Sequence, residues 1–88
     1  MRTYVLVNTE MGREGSVAEA VRSLSEVTAV HCISGPYDLI AECESVGHGR
    51  LIRETVEPIR STPGVLRVVV CPQARAKSEI ERQPAFAA

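Results

Sequence analysis

The sequence predicts an α+β domain in which four antiparallel strands form one sheet and two helices cover one of its faces. Two observations support this fold class. Short apolar runs rich in β-branched residues alternate with segments whose apolar residues recur at helical spacing. These segments follow one another in the order β-α-β-β-α-β, with turn residues between them.

The first half of the chain gives a strand, a helix and a second strand. Residues 3–8, TYVLVN, are β-branched and aromatic and precede the turn-prone TEMGREG, which predicts a strand. In residues 14–26 the apolar positions recur at helical spacing from Val17 to Leu24, which predicts an amphipathic helix. Residues 27–34, VTAVHCIS, return to strand composition.

The second half of the chain gives a strand, a helix and a final strand. Residues 38–45, DLIAECES, follow across only residues 35–37, so we expect an antiparallel hairpin. A helical stripe of apolar residues then runs through residues 47–61 and stops at TPG, residues 62–64. Residues 65–71, VLRVVVC, are predicted as the fourth strand, which completes a ferredoxin-like arrangement.

The strands at residues 4–7 and 68–71 are apolar at consecutive positions. This pattern indicates that both faces of the sheet are covered, although the helices cover only one. We expect a second copy of the chain to cover the other face, in a dimeric α+β barrel-type association. A monomer would leave a contiguous apolar surface exposed.

Length and composition indicate a single domain that does not bind DNA, RNA or a membrane directly. The domain spans residues 1–72, and the polar residues 73–88 are expected to form a mobile tail or a short helix. Ten basic and 11 acidic residues give a net charge of −1, which offers no basic excess for phosphates. No apolar run approaches the roughly 20 residues of a membrane span, so we expect a cytoplasmic protein.

The sequence offers no convincing catalytic, metal or cofactor site. Cys32, Cys43 and Cys71 are odd in number and widely spaced, and their strand positions predict buried thiols. His31 precedes Cys32 directly. Because adjacent strand residues point to opposite faces, His31 cannot orient Cys32 as a catalytic Cys-His pair requires. His48, between two glycines, is expected to be a solvated loop residue. We therefore predict that the protein is not an enzyme.

Two acidic residues, Glu42 and Glu44, share one face of the third predicted strand. They fit either an acid-base pair or exposed carboxylates that oppose edge-to-edge aggregation.

The segment SGPYDLIAE, residues 34–42, is the most informative polar stretch. Gly35 permits an unusual backbone conformation, and Asp38 either caps the turn or meets a ligand.

Residues 3–71 resemble the ligand-binding domain of the Lrp/AsnC (feast/famine) transcriptional regulators, also called the RAM domain. The resemblance lies in YVLVNTEMG, VAEAVRSL, SGPYDLIAE and IRSTPGV. It implies a stand-alone RAM module without a helix-turn-helix domain, because Met1 begins directly at the first strand. It also implies homodimers that assemble into tetramers or octamers, and an amino-acid-like effector bound near the hairpin turn.

The resemblance assigns effector binding to Gly35, Tyr37 and Asp38, and Ser34 offers a hydroxyl nearby. Many family members carry hydroxyl residues in the last strand, where this chain has Val68 and Val70.

We therefore expect a regulatory module that binds an amino-acid-like effector and can co-assemble with full-length regulators. Two alternatives remain open at this point. One is an adaptor that has lost its effector, and the other is a small enzyme of the dimeric α+β barrel type that uses His31 or Glu42.

Overall fold

Four strands and two helical segments follow one another in the computed structural model, which describes residues 1–73. The strands are β1 (Arg2–Thr9), β2 (Val27–Cys32), β3 (Leu39–Glu44) and β4 (Val65–Pro72). The first helix is α1 (Glu14–Arg22). The second helical segment consists of α2 (His48–Leu51), a π-helical turn (Ile52–Val56) and α3 (Glu57–Arg60). The predicted β-α-β-β-α-β order is confirmed.

The sheet has the strand order β2-β3-β1-β4, and every neighbouring pair is antiparallel. In the middle of the sheet, Val5 of β1 lies opposite Ala41 of β3 and Val70 of β4. Because β3 is an interior strand, Glu42 and Glu44 cannot protect a sheet edge. The interpretation of these two residues as edge carboxylates is therefore wrong.

The core lies between the sheet and the helices. Alternate residues of β1 face the helices and are fully or nearly fully buried, whereas the residues between them are more exposed. The helices contribute Val17 and Val21 from α1 and Leu51, Val56 and Ile59 from the second helical segment. A single layer of apolar side chains therefore joins sheet and helices, as expected for so short a chain.

The second helical segment accommodates a proline through its π-helical turn. Pro58 has no backbone N–H to donate, and its ring disfavours a regular helix in the preceding turn. In that turn the Glu57 N–H donates to the carbonyl of Ile52, five residues earlier, which is the π-helical pattern. The widened turn keeps α2 and α3 in one continuous segment along the core.

The sheet face opposite the helices, here called the open face, is largely apolar. Residues of the described chain that lie on it include Tyr4, Leu6, Ile40, Val69 and Cys71. Each is half-buried in the single chain, and none belongs to the core under the helices. Leu6 is central, because Ile40 and Val69 are its partners on either side.

The helix predicted around residues 74–82 lies outside the described residues. Within residues 1–73, no helix is long and apolar enough to cross a membrane.

Candidate functional site

The hairpin turn between β2 and β3 comprises residues 33–38 and is longer than the sequence predicted. The strands stop at Cys32 and resume at Leu39, and the Ile33 N–H donates to the carbonyl of Asp38 at 2.9 Å. Gly35 has a φ of +150°, which L side chains rarely adopt, so its predicted unusual conformation is confirmed. The turn is thus a small projecting loop rather than a tight reversal.

The four predicted site residues all lie in this turn. Ser34 and Gly35 are at its exposed tip, and Tyr37 and Asp38 are half-buried where it rejoins the sheet. The backbone N–H of Asp38 donates to the carbonyl of Val7 at 3.0 Å. The turn is therefore fixed to the end of β1.

Asp38 is the only aspartate in the chain, and its carboxylate anchors the turn. Oδ2 accepts a hydrogen bond from the Thr9 N–H at 2.8 Å and a longer one from the Thr9 hydroxyl at 3.5 Å. The β1–β4 register shifts between Asn8 and Thr9, which takes the Thr9 amide out of the regular ladder. Asp38 thus caps the end of β1, whereas the sequence interpretation had it cap its own turn.

Three further residues complete the site, and sequence reasoning missed them. The Asn8 side chain donates to the carbonyl of Pro36 at 2.8 Å. Arg67 lies opposite Asn8 in the sheet, and its guanidinium carbon is 5.8 Å from the centre of the Tyr37 ring. The third residue is Thr9. The sequence does mark these residues as unusual. Asn8 and Thr9 are polar residues at the end of an apolar strand, and Arg67 is the only charged residue in the apolar strand VLRVVVC.

Several polar groups at the turn have no partner within residues 1–73. These groups are the Oδ1 atom of Asp38, the hydroxyls of Ser34 and Tyr37, and the N–H groups of Arg67. Asp38 Oδ1 also reaches solvent, because Thr3 Oγ1 is the only buried, unpartnered side-chain oxygen or nitrogen in this range. The turn therefore presents both an anionic and a cationic group to a ligand.

Val68 and Val70 do not face the same side of β4 as Arg67. Both valines pack against the core under the helices, while Arg67 and Val69 lie on the open face. The two positions where many family members carry hydroxyl residues therefore face the core in this chain. Polar groups near the turn come instead from Arg67 and from the end of β1.

A second polar cluster lies on the open face, at the opposite end of β1 and β3. Arg2 contacts Glu44 at 2.8 Å and Glu42 at 3.2 Å, and Glu42 also contacts His31 Nε2 at 2.8 Å. The hydrogen bond from Arg2 lowers the pKa of the Glu44 carboxyl, and the same bond raises the pKa of Arg2. The two carboxylates are therefore committed to neighbouring side chains, which argues against the acid-base interpretation.

A cleft of about 460 Å³ opens at this same end of the sheet and is a weaker candidate. Its buried carboxylate, Glu26, accepts hydrogen bonds from Thr55 at 2.9 Å and Ser45 at 3.4 Å and pairs with Arg50 at 3.1 Å. These contacts join β2, β3 and the second helical segment. We assign Glu26 a structural role, because its carboxylate is already satisfied. The cleft is lined by Met1, Ser25, Glu26, Glu44, Ser45, Val46 and Arg50.

The three cysteines differ in burial. Cys43 is buried and Cys71 is half-buried, but Cys32 is exposed, so the prediction of a buried thiol is wrong for Cys32. Cys32 is the last residue of β2, which is an edge strand of the sheet. Within residues 1–73, no group of histidines, cysteines and carboxylates could hold a metal ion.

Burial of Cys43 makes the stability of the fold sensitive to alkaline pH. Desolvation, with a smaller contribution from the Glu26 carboxylate, raises the pKa of the Cys43 thiol to about 11. Above the ordinary thiol pKa the unfolded chain ionises at this position while the folded chain does not. The free energy of unfolding should therefore fall by up to about 1.4 kcal/mol per pH unit between the two pKa values.

Urea unfolding at pH 8, 9.5 and 10.5 checks this prediction, with Cys43→Ala as the control for other titrating groups. The wild-type protein should lose more stability with pH than the control. Equal losses in the two proteins would contradict the expected shift.

Comparisons with known proteins agree with the fold. A family model for the Lrp/AsnC ligand binding domain matches residues 2–75. No curated protein matches the chain at a significant level.

Two solved structures of similar length resemble the chain over most of its residues. TTHA0845 from Thermus thermophilus is 29% identical, with a TM-score of 0.80, over 85% of this chain and 94% of that one. The hypothetical protein PHS023 from Pyrococcus horikoshii is 25% identical, with a TM-score of 0.75, over 86% of this chain and 92% of that one.

A third structure is longer than this chain. It is the transcriptional regulator NMB0573 from Neisseria meningitidis, solved as a complex with L-Met. The identity is 15% and the TM-score 0.69, over 86% of this chain and 51% of that one, so the likeness concerns the fold alone.

Proposed function

Because the chain belongs to the Lrp/AsnC ligand-binding domain family, we propose that it is a stand-alone regulatory module that binds an amino-acid-like effector at the hairpin turn and homodimerises through its open face. The family is one of regulatory small-molecule-binding domains rather than enzymes. The effector site comprises Ser34, Gly35, Tyr37 and Asp38. Dimers assemble further into tetramers or octamers, and full-length regulators of the same family are possible partners.

The proposal rests on one observation. Some polar groups of the turn bind it to β1, whereas others have no hydrogen-bond partner within residues 1–73. Asp38 Oδ2 and the Asn8 amide hold the turn to β1, so the loop is ordered before any ligand arrives. Asp38 Oδ1 is left as an acceptor for a ligand ammonium.

Homodimerisation is supported by the area and chemistry of the open face. Four strands of up to eight residues span about 500 Å² at ordinary strand spacing, or about 1,000 Å² over two copies. This area meets the lower limit for a specific interface. The apolar side chains centred on Leu6 supply an interface core, and the cluster around Arg2 supplies a charged rim.

A dye-based thermal shift panel with the twenty proteinogenic amino acids tests effector binding. A ligand at 100 times its Kd adds about 2.7 kcal/mol to the native state. For a domain of this size that gain raises Tm by roughly 10 °C or more. We expect a reproducible rise for one chemical group of amino acids.

A flat panel would contradict the effector role and favour a second candidate function, an adaptor that has lost its ligand. The observation behind this alternative is that Val68 and Val70 cannot supply hydroxyl groups and instead pack on the core. An adaptor of this kind would still homodimerise, and it would join full-length regulators without responding to amino acids.

A further inference from the structure

We propose that Arg67 binds the carboxylate of the effector, so that the turn selects free α-amino acids over ligands without a carboxylate. This inference rests on the proposed function, because it concerns the same site. It adds a residue that determines specificity by recognising the carboxylate of the ligand.

Within residues 1–73, the guanidinium of Arg67 contacts the Tyr37 ring and no acidic group. It forms no hydrogen bond or ion pair within residues 1–73, unlike most arginines of the described chain. Its guanidinium carbon lies 5.8 Å from the centre of the Tyr37 ring, and this contact uses none of its N–H groups as hydrogen-bond donors. The N–H groups around the edge of the plane remain available for a carboxylate, which such a fork binds with two parallel hydrogen bonds.

Arg67 and Asp38 have opposite charges, lie on either side of the end of β1 and do not pair with each other. Tyr37, which holds the guanidinium, precedes Asp38 directly, yet no Arg67 nitrogen lies within 4.0 Å of the Asp38 carboxylate. The Thr9 amide holds Asp38 in place, and the position of Arg67 opposite Asn8 holds the other charge. A zwitterion bound across the end of β1 would meet Asp38 with its ammonium and Arg67 with its carboxylate.

The test compares each proteinogenic L-amino acid with its carboxamide, which keeps the ammonium and side chain but lacks the carboxylate charge. Thermal shift identifies the best amino acid, and calorimetric titration gives its Kd and that of its amide. The wild-type protein should prefer the acid by roughly 10- to 100-fold. In Arg67→Gln this preference should disappear through weaker binding of the acid, and Arg67→Lys should retain part of it.

The matched control is Arg53→Gln, since Arg53 is exposed, forms no ion pair within residues 1–73 and lies in the π-helical turn. It should leave both affinities unchanged. If Arg67→Gln keeps the wild-type acid-to-amide ratio, the role of Arg67 is overturned while the effector function stands. If no amino acid binds the wild-type protein, the proposed function itself fails, and the inference fails with it.

Discussion

Replacing Leu6 by glutamate is expected to convert the proposed dimer into a folded monomer. Leu6 lies at the centre of the open face, between Ile40 and Val69. In a two-fold symmetric dimer the substitution places two carboxylates in the interface, each costing several kcal/mol to desolvate. We expect Kd for dimerisation to rise at least about 1,000-fold. Sedimentation velocity over a range of micromolar concentrations measures the effect.

The matched control is Val46→Glu, which introduces the same charge at a side chain that is 87% exposed and outside the open face. It should leave the mass in solution unchanged. Circular dichroism distinguishes dissociation from unfolding. If Leu6→Glu unfolds, Leu6→Ala serves instead, because it removes apolar area without adding charge, and it should weaken the dimer. An unchanged mass for a folded Leu6→Glu protein would contradict pairing through this face.

Substitutions at Asp38 should separate the two roles of its carboxylate. Asp38→Asn keeps an oxygen that can accept from the Thr9 N–H but removes the charge offered to a ligand ammonium. We expect it to weaken binding of the best amino acid of the panel by roughly 10- to 100-fold with little loss of stability. Asp38→Ala should lose binding as well and also about 1–3 kcal/mol of stability, because the Thr9 amide is left without its partner.

Calorimetric titration and urea unfolding of both variants measure these effects. Glu19→Gln is the matched control, since it also removes one negative charge, from an exposed position in α1. It should change neither quantity. Unaltered amino-acid affinity in Asp38→Asn would show that the carboxylate serves the turn alone.

The fold was predictable because its signals are local. Strand composition, helical spacing and the TPG stop each act within a few residues, and the order of elements then limits the topology. The position of each strand within the sheet, by contrast, depends on the topology of the whole domain and not on neighbouring residues. In a ferredoxin-like sheet the third strand pairs with the first and lies in the interior, so the edge interpretation of Glu42 and Glu44 conflicts with the predicted fold itself.

The site was predictable only where it is continuous in the chain. Ser34, Gly35, Tyr37 and Asp38 form one segment with recognisable turn chemistry. Thr9 and Arg67 reach the same place through antiparallel pairing of β1 with β4 and through the register shift after Asn8. Register shifts of this kind depend on tertiary packing, so no spacing rule applied to the sequence alone would have joined these residues to the turn.

The mass of the wild-type protein in solution tests the central claim most directly, because the proposed module is built on pairing of the open faces. Sedimentation equilibrium at micromolar concentration needs no ligand and no variant. The proposal predicts the mass of a dimer, a tetramer or an octamer of the 9.6 kDa chain. A single species of 9.6 kDa across this range would contradict it, since the apolar open face would then be exposed to water in a stable monomer.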